Sequence, residues 1–152
     1  MIRITPDQRT RRGAAVAEAA IVMSVFLLIL LGSIDLALVV LRDNTLANAA
    51  RQLARTAIVR GDRAEAVAPP WGPEAYTGTV GDDTAYAAVV RPILVTLDPE
   101  AVQIRLVWPD GGNADGDRVE VTLSTEHHSL LPSLVGAEPY RLSATSTMPI
   151  EH

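Results

Sequence analysis

Apolar residues fill positions 19–34 without a charge and, interrupted only by Asp35, continue to Val40; beyond that they thin to Leu46, Ala49, Ala50, Leu53, Ala57 and Ile58. A helix needs about 20 residues, at about 1.5 Å each, to cross a hydrocarbon core, so the first part predicts a membrane-spanning helix. The second part keeps spacings of 3, 4 and 7 and leaves Arg51, Arg55 and Arg60 mostly on other faces. That pattern predicts that the helix continues out of the membrane to about Arg60, where Gly61 would end it. Counted from Ala14, the helix would be roughly 45 residues, or about 70 Å, long. The alternative is a separate amphipathic helix over residues 46–58, lying on the head or on the membrane surface.

Positions 61–82 lose the period and hold Pro69, Pro70, Pro73 and four glycines, the composition of a loop or linker. Asp82 or Asp83 is placed to cap a short helix through Ala85, Ala88 and Val89, which Pro92 would kink or stop. Val102, Ile104, Leu106 and Trp108 then alternate with polar neighbours, as do Val119, Val121 and Leu123, and the two runs predict a hairpin. A Ser/Thr-rich run from Tyr140 to Met148 predicts a third strand. The expected organisation is residues 1–13 as a leader, 14–60 as the long helix, 61–82 as a linker and 83–152 as a small head. The fold class is α+β, a long N-terminal transmembrane helix with a small antiparallel sheet. A head of this size holds only a small core, so the segment from about Asp62 onward is expected to be marginal alone.

Charge sharpens the picture at the N-terminus. Of the net −5, Arg3, Arg9, Arg11 and Arg12 against Asp7 give +3 before Gly13, which leaves −8 for the rest. An acidic body of this kind is not a nucleic-acid binder. Arginines flank the span on both sides, so charge counting does not choose an orientation. The absence of cysteine excludes a disulfide framework and thiolate zinc sites, and fits either side of a membrane. A cleaved secretory signal is the alternative to a stable span. Its best A-x-A match, Ala47-Asn48-Ala49, lies well past the apolar core and inside the continuing helix, where a peptidase needing extended chain has poor access.

Glu18 stands out, an acid five residues past Gly13 at the start of an otherwise membrane-compatible run. Gly13-Ala14, Glu18 at the fifth position and the apolar helix together resemble the cleavage and assembly signature of type IV pilin-like proteins. More narrowly they resemble the TadE-like family of tight-adherence pilus subunits. Members of that family carry an arginine-rich leader and a Gly-x-x-acid pattern late in the helix, similar to Gly32-Ser33-Ile34-Asp35, although glutamate is the commoner acid there. Leu130-Leu131-Pro132 and Leu142-Ser143-Ala144-Thr145 are similar to the family's C-terminal turn and strand. The likeness covers about the first 60 and last 35 residues; the middle resembles nothing familiar.

The resemblance implies a pilin-like or pseudopilin subunit of a tight-adherence assembly or secretion system. Cleavage would follow Gly13, by a prepilin peptidase on the cytoplasmic face of a bacterial inner membrane. The leader would stay inside, the head would be extracytoplasmic, and the assembled subunit would decorate or cap a surface filament. Partners would be other pilin-like subunits through the helix, the peptidase and the membrane. Glu18 would then sit in the first turn of the mature helix. The helix dipole favours an acid there by roughly 0.3–1 kcal/mol, less than the several kcal/mol that an acid in lipid costs. The implied partner is the α-amine of a neighbouring subunit's Ala14; the alternative is that Glu18 stays hydrated near the headgroups. Asp35, near the far interface, is a second assembly or packing candidate, with simple hydration as its alternative. The competing reading of the whole chain is an uncleaved single-pass protein whose head binds an extracytoplasmic ligand or envelope component.

Other chemistry is thin. The acids from Asp110 to Asp117 invite a calcium loop, but counted from Asn113 the glycine position is Arg118 and the bidentate glutamate position is Ser124. Turn chemistry explains the same residues. His127 and His128 on a strand face opposite sides and have no third ligand in register. The two tryptophans and three tyrosines are too scattered for a stacking platform and are read as core or interface. No nucleophile stands at a recognisable spacing from a base. Neither an enzyme, nor a metal, nor a cofactor is expected.

Overall fold

The computed structural model describes residues 8–64, 69–129 and 139–151, with side chains from Gly13 onward at the N-terminal end. The 130–132 turn and the first seven leader residues lie outside them. A single helix, α1, runs Gln8–Ile58 over 51 residues, about 75 Å. It includes both the apolar span and the amphipathic stretch, so the amphipathic part is not a separate helix. It starts before the expected leader boundary and passes through the Gly13–Ala14 bond as helix. From residue 13 to the mid-thirties its apolar side chains, among them Val16, Ile21, Phe26 and Leu30, face outward with nothing packed on them. This is the part long and apolar enough to cross a membrane. Its hydroxyls are satisfied within the helix: Ser24 Oγ donates to Ala20 O and Ser33 Oγ to Ile29 O, each at 2.8 Å, which makes them tolerable in lipid.

The lower half of α1 behaves differently. Leu46, Ala49, Ala50, Leu53, Ala54 and Ala57 are all at most 2% exposed and press on one face of a four-stranded antiparallel sheet. The strands are β1 (Tyr76–Thr79), β2 (Gln103–Val107), β3 (Arg118–His127) and β4 (Tyr140–Pro149), in the order β1-β2-β3-β4. The hairpin of β2 and β3 pairs Ile104 with Leu123 and Leu106 with Val121, so the period-2 apolar residues meet on the helix-facing side. Alanines dominate the helix stripe because a small side chain lets a helix backbone lie close to a pleated surface. The head is therefore a two-layer unit in which α1 supplies one layer, and the boundary at residue 60 separates segments of chain, not packing units.

Two sequence expectations need correcting. The stretch 61–82 contains β1, which pairs Tyr76 with Leu106 and Gly78 with Ile104 and makes the sheet four-stranded. Its four residues include a glycine and two threonines, too short and mixed to show a period. The short helix α2 (Ala85–Val90) is capped by Thr84, whose Oγ accepts from Ala87 N at 3.2 Å, and not by Asp82 or Asp83. Asp82 instead closes the turn after β1, accepting from Thr79 N at 2.7 Å, Thr79 Oγ at 3.0 Å and Tyr76 OH at 3.3 Å. Those bonds, the Thr79 backbone N–H first, hold its carboxyl below the usual range. Arg91 clamps the same turn by donating to Val80 O, Gly81 O and Asp82 O. Pro92 falls in a 3₁₀ turn, Arg91–Ile93, directly after α2.

The end of α1 is tied down by chain from elsewhere. Trp71 N donates to Arg60 O at 2.8 Å and Glu151 N to Ile58 O at 3.2 Å, which satisfies carbonyls that a helix end leaves open. Trp71 packs on Tyr86 (4.6 Å between centroids) under the Arg60 guanidinium, and Trp108 is 5% exposed, so both tryptophans belong to the core. Gly72, at φ +92°, lies where a Cβ would collide with the Trp108 indole.

The acidic hairpin loop uses its carboxylates internally. Asp110 accepts from Arg118 Nη2 at 2.7 Å, Nε at 3.0 Å and backbone N at 2.9 Å, and Asp117 accepts from Ala114 N at 2.9 Å. The Arg118 guanidinium, and then its backbone N–H, hold the Asp110 carboxyl down at about 2. An unfolded aspartate titrates near about 3.9, so this pair stabilises the fold in full above about pH 4, and the contribution is lost as the pH falls through about 2. Urea unfolding of the full chain in detergent micelles should weaken across that window, and Asp110→Asn should flatten the decline. An acid profile identical to wild type in the variant would mean the pair contributes nothing.

Candidate functional site

Two regions of α1 carry the residues singled out from the sequence. At the N-terminal end, Gly13, Ala14 and Glu18 are all exposed on the helix surface. Ala14 and Glu18 are four residues apart and share a face. A Cβ at Gly13 would meet nothing within 4 Å, so no packing explains the glycine. Glu18 has no partner among the described residues and stands beside outward-facing Val16, Ile21 and Val22. From Glu18 to Asp35 the helix rises about 25 Å, most of the thickness of a hydrocarbon core.

At the other end of that rise the structure brings together four residues that the sequence did not connect. Asp35 Oδ2 accepts from Ser129 Oγ at 2.7 Å, and Asp35 Oδ1 lies 3.4 Å from His127 Nε2. His127 Nδ1 lies 2.8 Å from Arg42 Nη1, two helical turns below Asp35 on the same face. The imidazole is 1% exposed, and Tyr140, its cross-strand partner on β4, stacks at 5.1 Å between centroids. A guanidinium can only donate, so Nδ1 is an acceptor; in the neutral ring the hydrogen is then on Nε2, directed at Asp35. The end of β3 is thus fastened to α1 at the point where the helix leaves its bare segment.

Sequence reasoning tested His127 only as a metal ligand. The overlooked signal was its phase: Val119, Val121 and Leu123 face inward, and two more steps of the same alternation place Thr125 and His127 on the helix-facing side. His128, one residue on, is exposed. Among the described residues no group of three or more His, Asp or Glu is placed to hold a metal ion.

One bare apolar helix running into an amphipathic half that carries a small antiparallel sheet is the architecture of a single-span, helix-anchored head protein. Residues 13–55, the segment from Gly13 to near the end of the sheet-facing stripe, match the family model described as TadE-like protein, so this region of the chain is similar to that family. The match covers 43 of the chain's 152 residues. No curated protein and no solved structure matches the chain.

Proposed function

We propose that the chain is a pilin-like or pseudopilin subunit of a tight-adherence assembly. It is cleaved after Gly13 by a prepilin peptidase on the cytoplasmic face, held in the inner membrane by α1 with its head outside, and assembled through that helix. The observation that carries this reading is Glu18: an acid on a lipid-facing helix, one turn after Ala14, with no partner among the described residues. Lipid makes such an acid costly, and cleavage would create a positive charge on the adjacent turn of a neighbouring copy. Gly13 suits the cleavage step as well. The helix passes through the scissile bond, so the peptidase must unwind that turn, and glycine weakens a helix by roughly 1 kcal/mol relative to alanine. At Ala47-Asn48-Ala49 the same unwinding would tear Ala49, fully buried, from the sheet, which disfavours signal-peptidase cleavage.

Intact mass of the protein from a host with the peptidase tests the reading. A mature chain beginning at Ala14 is expected; a chain beginning at Met1, or near Ala50, would remove it. The second reading, an uncleaved anchor with a ligand-binding head, draws on a shallow trough of about 420 Å³ on the outer sheet face. Arg141 crosses it, donating to Gln103 Oε1 and Ser124 Oγ at 2.8 Å each. That reading requires the Met1 mass.

A further inference from the structure

The buried group that assembly leaves unused is His127. Both ring nitrogens are engaged by α1, Nδ1 by the Arg42 guanidinium at 2.8 Å and Nε2 by Asp35 at 3.4 Å. Among the described residues, the charged or titratable groups facing the ring are Asp35 and Arg42 from α1 and Tyr140 from β4, with Ser129 Oγ shared through Asp35. Glu126 and His128, its neighbours on β3, are exposed and alternate to the other face.

With the ring neutral, this cluster is balanced among the described residues: one guanidinium, one carboxylate, and an imidazole that accepts from the first and donates to the second. A proton can enter only at Nδ1, the nitrogen on which Arg42 donates. The result would be two N–H donors facing each other at hydrogen-bond distance with no acceptor between them, and a second positive charge beside the first. At 1% exposure water cannot separate them. Asp35 gains from the new charge, but it already serves Ser129 and cannot also reach the space between Nδ1 and Arg42. The cheapest relief is for Arg42, half-buried and with its Nε buried without a partner among the described residues, to swing out.

We infer that Asp35, His127 and Arg42 form an acid-released clasp between the membrane-proximal part of α1 and the head. Release does not detach the head, because Leu46, Ala49, Leu53 and Ala57 still hold the sheet through apolar contact that no proton changes. It uncouples residues 35–45, about three helical turns, from the end of β3. With the ring neutral the end of β3 is held against the helix; with the ring protonated that end is free, while α1, one continuous helix to Ile58, keeps its course. The inference stands on contacts within one chain and is independent of whether the chain is cleaved.

The test uses the full-length chain in nanodiscs. It has no native cysteine, so paired spin labels are unambiguous. Cysteines replace Leu36, above the clasp, and His128, exposed just past the end of β3; a control pair replaces Arg55 and Thr147, both exposed. One narrow Leu36–His128 distance is expected at about pH 7.5, with a second, broader population of at least half at about pH 5. The Arg55–Thr147 distance should be the same at both. In His127→Gln, which can accept from Arg42 and donate to Asp35 but cannot take a proton, the narrow distance should persist at both pH values. A narrow wild-type distance at pH 5, or the same broadening in His127→Gln, would overturn the clasp. If the glutamine variant is broad throughout, imidazole nitrogen NMR of the wild type decides. The neutral Nε2–H tautomer at pH 7.5, titrating in step with the distance change, supports the clasp. A ring that protonates while the distance stays narrow, or never protonates in this range, refutes it.

Discussion

Leu53→Ala is expected to destabilise the head by about 4 kcal/mol, near the top of the usual 2–5 kcal/mol for such truncations. Leu53 is fully buried in the middle of the α1 stripe. Its neighbours on that stripe are Ala49, Ala50, Ala54 and Ala57, side chains with no length to move into the space it vacates. On the sheet side, the β2–β3 pairs hold the backbone in register, so the cavity stays open. Small domains have only about 5–15 kcal/mol in total, and this one change removes a large share. The measurement is urea unfolding of the full chain in detergent micelles, followed by the fluorescence of Trp71 and Trp108, both buried in the head. The apolar span should stay helical throughout, since its own backbone bonds and the detergent hold it. A loss below about 1 kcal/mol would mean that α1 is not a layer of the head core. The same argument sharpens the sequence expectation of a marginal head. A fragment beginning near Asp62 lacks the whole helix layer, which lies on β3 and β4, and exposes inward residues of β3 such as Val121 and Leu123.

Glu18→Ala is expected to abolish incorporation into a filament while leaving membrane insertion intact or improved. The substitution removes an acid from a lipid-facing position and raises helix propensity slightly, a gain of a few tenths to a few kcal/mol for anchoring. Among the described residues nothing loses a contact, because Glu18 is exposed and has none there. Under the proposed function, however, a neighbour's α-amine loses its charge partner in a low-dielectric contact, at a cost on the order of 3 kcal/mol or more. The comparison is between cleaved Glu18→Ala protein and wild type, scored by crosslinked partners and surface-exposed material. Normal incorporation of the cleaved variant would sink the pairing and leave the helix as a plain anchor.

Local pattern made much of this molecule legible. The span is visible because a membrane helix needs only uninterrupted apolar length, and its continuation to Ile58 because an amphipathic stripe repeats at 3.6 residues. The β2–β3 hairpin follows from alternation at period 2, and β4 from its Ser/Thr-rich run. What escaped were the parts set by distant partners. β1 is four residues whose strand character comes from pairing with β2, and Thr84 rather than Asp82 caps α2 because Thr79 and Tyr76 claim Asp82 first.

The N-terminal candidates and the clasp divide in the same way. Gly13, Ala14 and Glu18 could be named from the sequence alone, since their meaning lies in spacing along one helix that has no neighbour there among the described residues. Asp35 could be named too, but its role could not be read. Only the folded chain, by carrying the end of β3 back across α1, sets His127 and Ser129 against it, 92 and 94 residues away in sequence. Spacing along a chain determines what a single helix presents to its surroundings. Which buried polar groups satisfy one another depends on how layers pack, and that information exists only in three dimensions.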